Sequence, residues 1–181
     1  VRAEDHGDKF AEAGCISSVD KDHQPHSRFV NFKYFFEDNL IFFSNYKSHK
    51  AQDFAGNDKV CINFWWPNIE VQVRIEGVIS KCEEKFSDEH FQGRKPSKNV
   101  AALVSEQSKK IESYDLLKQK YEAMKEKVEN GEYNHSRPKN WGGYQIKVHF
   151  FEFWEANDDR LNYRECYEKT DESWSKFFLQ S

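Results

Sequence analysis

The sequence has no apolar run approaching the roughly 18 residues of a membrane-spanning helix, and its start, VRAEDHGDKF, lacks the apolar core of a signal peptide. It also lacks an excess of positive charge. A formal net charge of −4 argues against a general polyanion binder, because nucleic-acid affinity rests on clustered Lys and Arg; a local anion site stays open. Four cysteines, at 15, 61, 82 and 166, form no CxxC pair, and 181 residues are enough to bury a core without a disulfide staple. The expected compartment is therefore reducing and intracellular, that is, cytoplasmic. No repeat or low-complexity linker divides the chain, so one domain over 1–181 is expected, and the absence of an initiator Met leaves room for sequence upstream.

Several catalytic signatures are missing as well. The seven histidines, at 6, 23, 26, 49, 90, 135 and 149, make no HExxH or paired Cys/His pattern, so no metal site is expected. GGY at 142–144 is neither GxGxxG nor GxxxxGK[ST], and Gly142 and Gly143 read better as places where the backbone passes close to a neighbour. There is no GxSxG elbow and no Cys/His nucleophile pair, which leaves hydrolase chemistry little support.

What the sequence does have is rings. Aromatic residues make up 16% of it against 38% apolar overall, so large flat side chains must fill much of the interior, which suits sheets better than helix bundles. Alternating or continuous apolar stretches at Gly14–Val19, Arg28–Phe36, Leu40–Ser44, Val60–Trp66 and Glu70–Ser80 are parted by turn signals such as DKDHQP, EDN and PN. In EVQVRIEGV, Val71, Val73 and Ile75 share one face while Gln72, Arg74 and Glu76 share the other. Strand character resumes in WGGYQIKVHFFEFW, then over Arg160–Glu168 and Trp174–Leu179, with Ala156 to Asp159 reading as a hairpin turn. Two helices are expected, SHKAQDFAG and SYDLLKQKYEAMKEKVENG; in the second, Leu117, Tyr121, Met124 and Val128 make an apolar stripe, with Gly131 as its stop and the lysine-rich face in solvent. Strands outnumber helices, and successive short antiparallel strands predict a barrel.

Arg28, Lys33, Lys50, Arg94, Arg160 and Arg164 would each pass as surface charge. Their settings differ from that. Arg28 and Lys33 lie in an aromatic strand, and Lys50 falls in the first turn of a helix, where backbone N–H groups also attract anions, so together they suit a phosphate. Strict alternation puts Arg28 and Lys33 on opposite faces, so a shared role needs a bulge or a site at the strand end.

Taken in order, RFVNFK (28–33), FFSNYKSHKA (42–51), VQVRIEG (71–77), HFQGR (90–94), SEQSKKI (105–111), WGGYQI (141–146) and FEFWEANDDRLNYR (151–164) resemble the pyridoxine (pyridoxamine) 5′-phosphate oxidases. The likeness runs from about Gly14 to the C-terminus, with residues 1–13 poorly matched. It implies a mainly β (α+β) fold, an FMN-binding split β-barrel of antiparallel strands with peripheral helices, and a homodimer with FMN at the subunit interface. It further implies FMN contacts at Arg28, Phe29, Val30, Asn31, Phe32, Lys33, Phe43, Ser44, His49, Lys50, Gln72, Gln107, Ser108, Trp154 and Arg164. The implied substrate residues are Lys33, His90, Arg94, Lys98, Arg160 and Asn162, with Arg160 and Asn162 at the reacting end. Three depart from the family pattern: His90 stands for a tyrosine, Lys98 for a serine and Asn162 for a histidine. The activity implied is oxidation of pyridoxine or pyridoxamine 5′-phosphate by O2; a related flavin oxidoreductase with another substrate, or an FMN-binding protein without turnover, are the alternatives that these departures raise.

Overall fold

The computed structural model describes residues 3–133, 136–171 and 173–181. Eight strands and, among the described residues, four α-helices are present: β1 Ala13–Val19, β2 Pro25–Phe36, β3 Asn39–Asn45, α1 His49–Gly56, β4 Lys59–Trp66, β5 Val71–Lys81, α2 Glu84–Gly93, α3 Pro96–Val104, α4 Tyr114–Glu129, β6 Trp141–Glu155, β7 Tyr163–Thr170 and β8 Ser173–Phe178. The strand order is β3-β2-β1-β4-β5-β6-β7-β8, and pairing of β3 with β6 closes the first six into an antiparallel barrel. The chain has the split-barrel fold, mainly β.

Every expected strand is present. The expected two helices become four, because α2 and α3 are short, at ten and nine residues; α3 opens on Pro96, whose fixed φ and missing N–H suit a first helical position. The strand expected from Arg160 starts at Tyr163, since Arg160 takes a left-handed φ of 60° in the turn. In α4, Ser113 Oγ accepts the N–H of Leu116 and Gly131 takes a φ of 73° after the last turn.

The chain divides into two compact units, Val1–Phe42 with Asp53–Ser80 and Gln145–Ser181, and Phe43–Gln52 with Lys81–Tyr144. In the first, Ile16, Phe42, Ile62, Ile146 and Val148 are fully buried, and Phe32 lies edge-on to Phe42 with centroids 5.6 Å apart. In the second, Phe91 and Val100 are fully buried. There the two glycines are required: a Cβ on Gly142 would collide with the Tyr46 hydroxyl, and one on Gly143 would lie 2.8 Å from Cys82 Sγ.

β2 pairs with β3 as Phe32↔Phe42 and then Tyr34↔Ile41, so Lys33 is an extra residue, a β-bulge. The bulge comes after Arg28 and leaves Arg28 facing in and Lys33 facing out.

Candidate functional site

In the second unit a cleft of about 230 Å³ lies between the end of β3, α2, α3 and the loop after α3. Its floor is aromatic. Phe43 stacks in parallel on His90 with centroids 3.6 Å apart and on Trp141 at 5.3 Å. Arg94 lies over the Trp141 ring with its Cζ 4.7 Å from the ring centroid, a cation–π contact.

Among the described residues no carboxylate pairs with Arg94. Arg94 Nη2 donates to the Lys98 carbonyl at 3.0 Å, while Nη1 is buried with no hydrogen-bond partner among the described residues. Burial pulls the guanidinium pKa down from its usual value. Leaving a charged N–H without an acceptor costs free energy, and an anion in the cleft could supply that acceptor. Lys98 lines the same cleft and is exposed.

At the polar end, Gln107 Oε1 accepts Ser44 Oγ–H at 3.2 Å and the Asn45 N–H at 3.3 Å. Lys50, 8% exposed at the start of α1, donates to Ser44 Oγ at 3.2 Å and Ser48 Oγ at 3.5 Å. A buried ammonium among hydroxyls beside a helix N-terminus has the donor set that a phosphate requires. Of the residues singled out in the sequence, Phe43, Ser44, Lys50, His90, Arg94, Lys98 and Gln107 are thus brought together. His49 is exposed on the first turn of α1, and Ser108, exposed, takes a φ of 73°. Asn45, Ser105 and Trp141 line the cleft too; Trp141 opens an aromatic run, the one signal that marked it.

In the first unit Arg28, Lys33, Arg74 and Arg164 each meet a carboxylate of the same chain. Arg74 Nε and Arg164 Nε donate to the two oxygens of Glu152 at 2.8 and 2.6 Å, and Glu152 is 3% exposed. Burial would raise the Glu152 pKa, but the hydrogen bonds from Arg164 and Arg74 outweigh it and hold it below the usual carboxylate range. Arg164 Nη1 also reaches the Gln180 carbonyl at 2.9 Å. Arg28 contacts Ser18 and Asp53, and Lys33 pairs with Glu12 at 2.5 Å. Gln72 faces Trp65 across β4 and β5, and Trp65 lies 6.4 Å from Trp154, which is opposite Arg164. Phe29 is exposed and Phe32 is core; Val30 is half-buried and Asn31 exposed.

Arg160 is exposed in the β6–β7 turn, while the Asn162 carboxamide oxygen accepts the Asn157 N–H at 3.2 Å, bracing that turn. The paired acids Glu152 and Asp53 left no mark in the sequence, being far in number from their partners. His135 lies outside the described residues, and no helix among them is long and apolar enough to cross a membrane.

Comparison with known proteins follows the same lines. Residues 9–127 match the family model described as pyridoxamine 5′-phosphate oxidase, and residues 141–181 match that of the pyridoxine 5′-phosphate oxidase C-terminal dimerisation region. The pyridoxine/pyridoxamine 5′-phosphate oxidase of Colwellia psychrerythraea is 38% identical over 163 residues, 90% of this chain and 74% of that one. Its counterpart numbered 2 in Hydrogenovibrio crunogenus is 40% identical over 164 residues, 91% and 76% respectively. Among solved structures, PhzG from Burkholderia lata 383 in complex with tetrahydrophenazine-1-carboxylic acid shares the fold with a TM-score of 0.91 at 23% identity, covering 99% of this chain and 87% of that one. A pyridoxamine 5′-phosphate oxidase-related, FMN binding protein from Nostoc punctiforme does so at 0.79 and 16%, covering 99% and 92%. The chain belongs to the pyridoxamine 5′-phosphate oxidase family.

Proposed function

We propose that this protein is an FMN-dependent oxidase of pyridoxine 5′-phosphate and pyridoxamine 5′-phosphate. The observation that carries the substrate side is Arg94, which lies over an aromatic ring, lines a cleft and keeps a buried N–H without an acceptor. A phosphate monoester supplies the missing acceptor, and Lys98 adds a second positive charge on the same wall. The flat Phe43, His90 and Trp141 group suits a pyridine ring attached to that phosphate.

For the cofactor, the donor chemistry fits a flavin nucleotide. Lys50 and Ser44 are suited to its phosphate, as is Arg28, and the Gln72 and Gln107 amides to the polar edge of its ring system. Trp154 offers a flat face, and Arg164, fixed by Glu152, a positioned cation. The chemistry FMN would supply when bound is two-electron oxidation at C4′ of the substrate with O2 as final acceptor, giving pyridoxal 5′-phosphate and H2O2, with one water consumed and ammonia released when the substrate is pyridoxamine 5′-phosphate. The protein's own part is to bind, orient and screen from water. Arg160 is assigned to the reacting end, while Asn162, a neutral amide, can donate and accept hydrogen bonds there but can carry no proton.

We also assign a homodimer, supported by the match of residues 141–181 to a dimerisation region and by exposed Leu161, Tyr163 and Phe178 within it. A second reading, a flavin oxidoreductase with a changed substrate, is favoured by Asn162, whose carboxamide is already used inside its turn. One experiment decides: the purified protein is expected to be yellow, or to become so with FMN, and to form aldehyde and peroxide when given pyridoxamine 5′-phosphate in air. A flavin-loaded protein that makes no aldehyde leaves the second reading; a protein that takes up no FMN overturns both.

A further inference from the structure

Asp53 has no part in the chemistry above, yet it sits against one of the cations assigned to FMN. Its side chain is 6% exposed. Three donors converge on its Oδ2: Ser18 Oγ at 2.6 Å, His26 Nδ1 at 3.2 Å and Arg28 Nη2 at 3.4 Å. Arg28 Nη1 in turn donates to Ser18 Oγ at 2.7 Å and points at the Ile16 carbonyl at 3.5 Å. Arg28 is therefore committed to its own chain, by one short bond to a hydroxyl and one long contact to a carboxylate.

That geometry differs from a structural lock. Arg164 meets Glu152 Oε1 at 2.6 Å through both Nε and Nη2, a tight charge-assisted contact. Arg28 meets Asp53 through one nitrogen at 3.4 Å, beyond the usual 2.7–2.9 Å of such bonds. An arginine held this loosely is able to exchange one acceptor for another, whereas a carboxylate that stays beside it repels any anion that takes its place.

We infer that Asp53 is an affinity-setting residue: an internal counter-ion that competes with the phosphate of a flavin nucleotide for Arg28 and holds FMN affinity below what Arg28 would give alone. This rests on the reading of Arg28 as a phosphate ligand. A group that acts on the phosphate acts on FMN and not on riboflavin, which has the same ring system without the phosphate.

The test is Asp53→Asn, close in shape and still able to accept the Ser18 hydroxyl, in protein stripped of flavin and titrated with FMN and with riboflavin by flavin fluorescence. The FMN Kd is expected to fall about tenfold on loss of one repelling charge, with riboflavin affinity unchanged. The gain should vanish when Arg28→Met is added. An FMN Kd that stays the same or rises overturns the inference, and so does an equal shift for riboflavin. Should Asp53→Asn fail to fold by circular dichroism, Asp53→Ser removes the same charge and gives the same reading. Wild-type protein that binds FMN without tightening in the variant overturns this inference alone; no FMN binding in either overturns the flavin reading with it.

Discussion

The paired cations of the first unit and those along the cleft of the second are held differently, although away from the cleft the second unit pairs cations too, as Arg137 does with Asp88. In the first, Arg74, Arg164, Lys33, Lys169 and Lys176 each meet a carboxylate of their own chain, at Glu152, Glu12, Asp38 or Glu165. Along the cleft of the second, Arg94 meets a backbone carbonyl and a ring, and one of its buried N–H groups meets nothing among the described residues. A buried charge is tolerated when it is paired and hydrogen-bonded, so a cation with its own acid is explained by the fold, and one without points to a ligand. Sequence position hides this difference, because Arg94 and Arg164 look alike until their surroundings are known.

The sharpest way to break the comparison is to remove an acid from the paired side. Glu152→Gln leaves two guanidinium groups around a neutral amide, and since Arg74 and Arg164 are each under a third exposed, the cost should be about 2–4 kcal/mol by denaturant unfolding. The pH dependence has a definite sign. The Glu152 pKa is lowered on folding, so its contribution is present above the ordinary value of 4.5 and is lost as pH falls through the lower folded value. The gap between wild type and Glu152→Gln should therefore narrow in acid; a gap independent of pH would mean that packing, not charge, sets it.

The opposite variant, Arg94→Met, removes a cation that the fold does not neutralise. Stability should change by under about 1 kcal/mol, because the lost ring contact is offset by removing a buried group with an unmet N–H. The KM for pyridoxamine 5′-phosphate should rise roughly 10- to 100-fold with kcat little altered, as expected for an interaction made equally in ground and transition states. A stability loss as large as that of Glu152→Gln, with KM unmoved, would make Arg94 structural.

The barrel was legible because its signal is local and repeated: alternation in β1, β4 and β5 and a high aromatic load. The helices α2 and α3 were not, since Asn99 Nδ2 bonds the Phe91 carbonyl and holds their junction by a contact that no periodicity announces. The Lys33 bulge is a single extra backbone residue with no composition of its own. At the site, the resemblance named Ser44, Arg94 and Gln107, which the cleft gathers, but could not say which arginines are already spoken for. Arg74 and Glu152 are 78 positions apart, and pairing over such a span is set by register across the sheet, which a one-dimensional pattern does not carry.

Asn162 gives the finest test, because it belongs to neither pattern. It is uncharged, half-buried, and spends its carboxamide oxygen on the Asn157 N–H across the β6–β7 turn, while its own carbonyl accepts the Ser181 hydroxyl. Asn162→Ala should cost about 0.5–1.5 kcal/mol, the worth of one neutral hydrogen bond. Asn162→His should cost less, since a ring nitrogen can accept the same N–H, and it also restores a group able to carry a proton beside Arg160. If the reacting end of the substrate lies there, Asn162→His should oxidise pyridoxine 5′-phosphate faster than wild type with FMN retention unchanged. A stable variant with no gain in rate would mean that the turn alone requires Asn162, and that the substrate taken by this chain does not call on a histidine at that place.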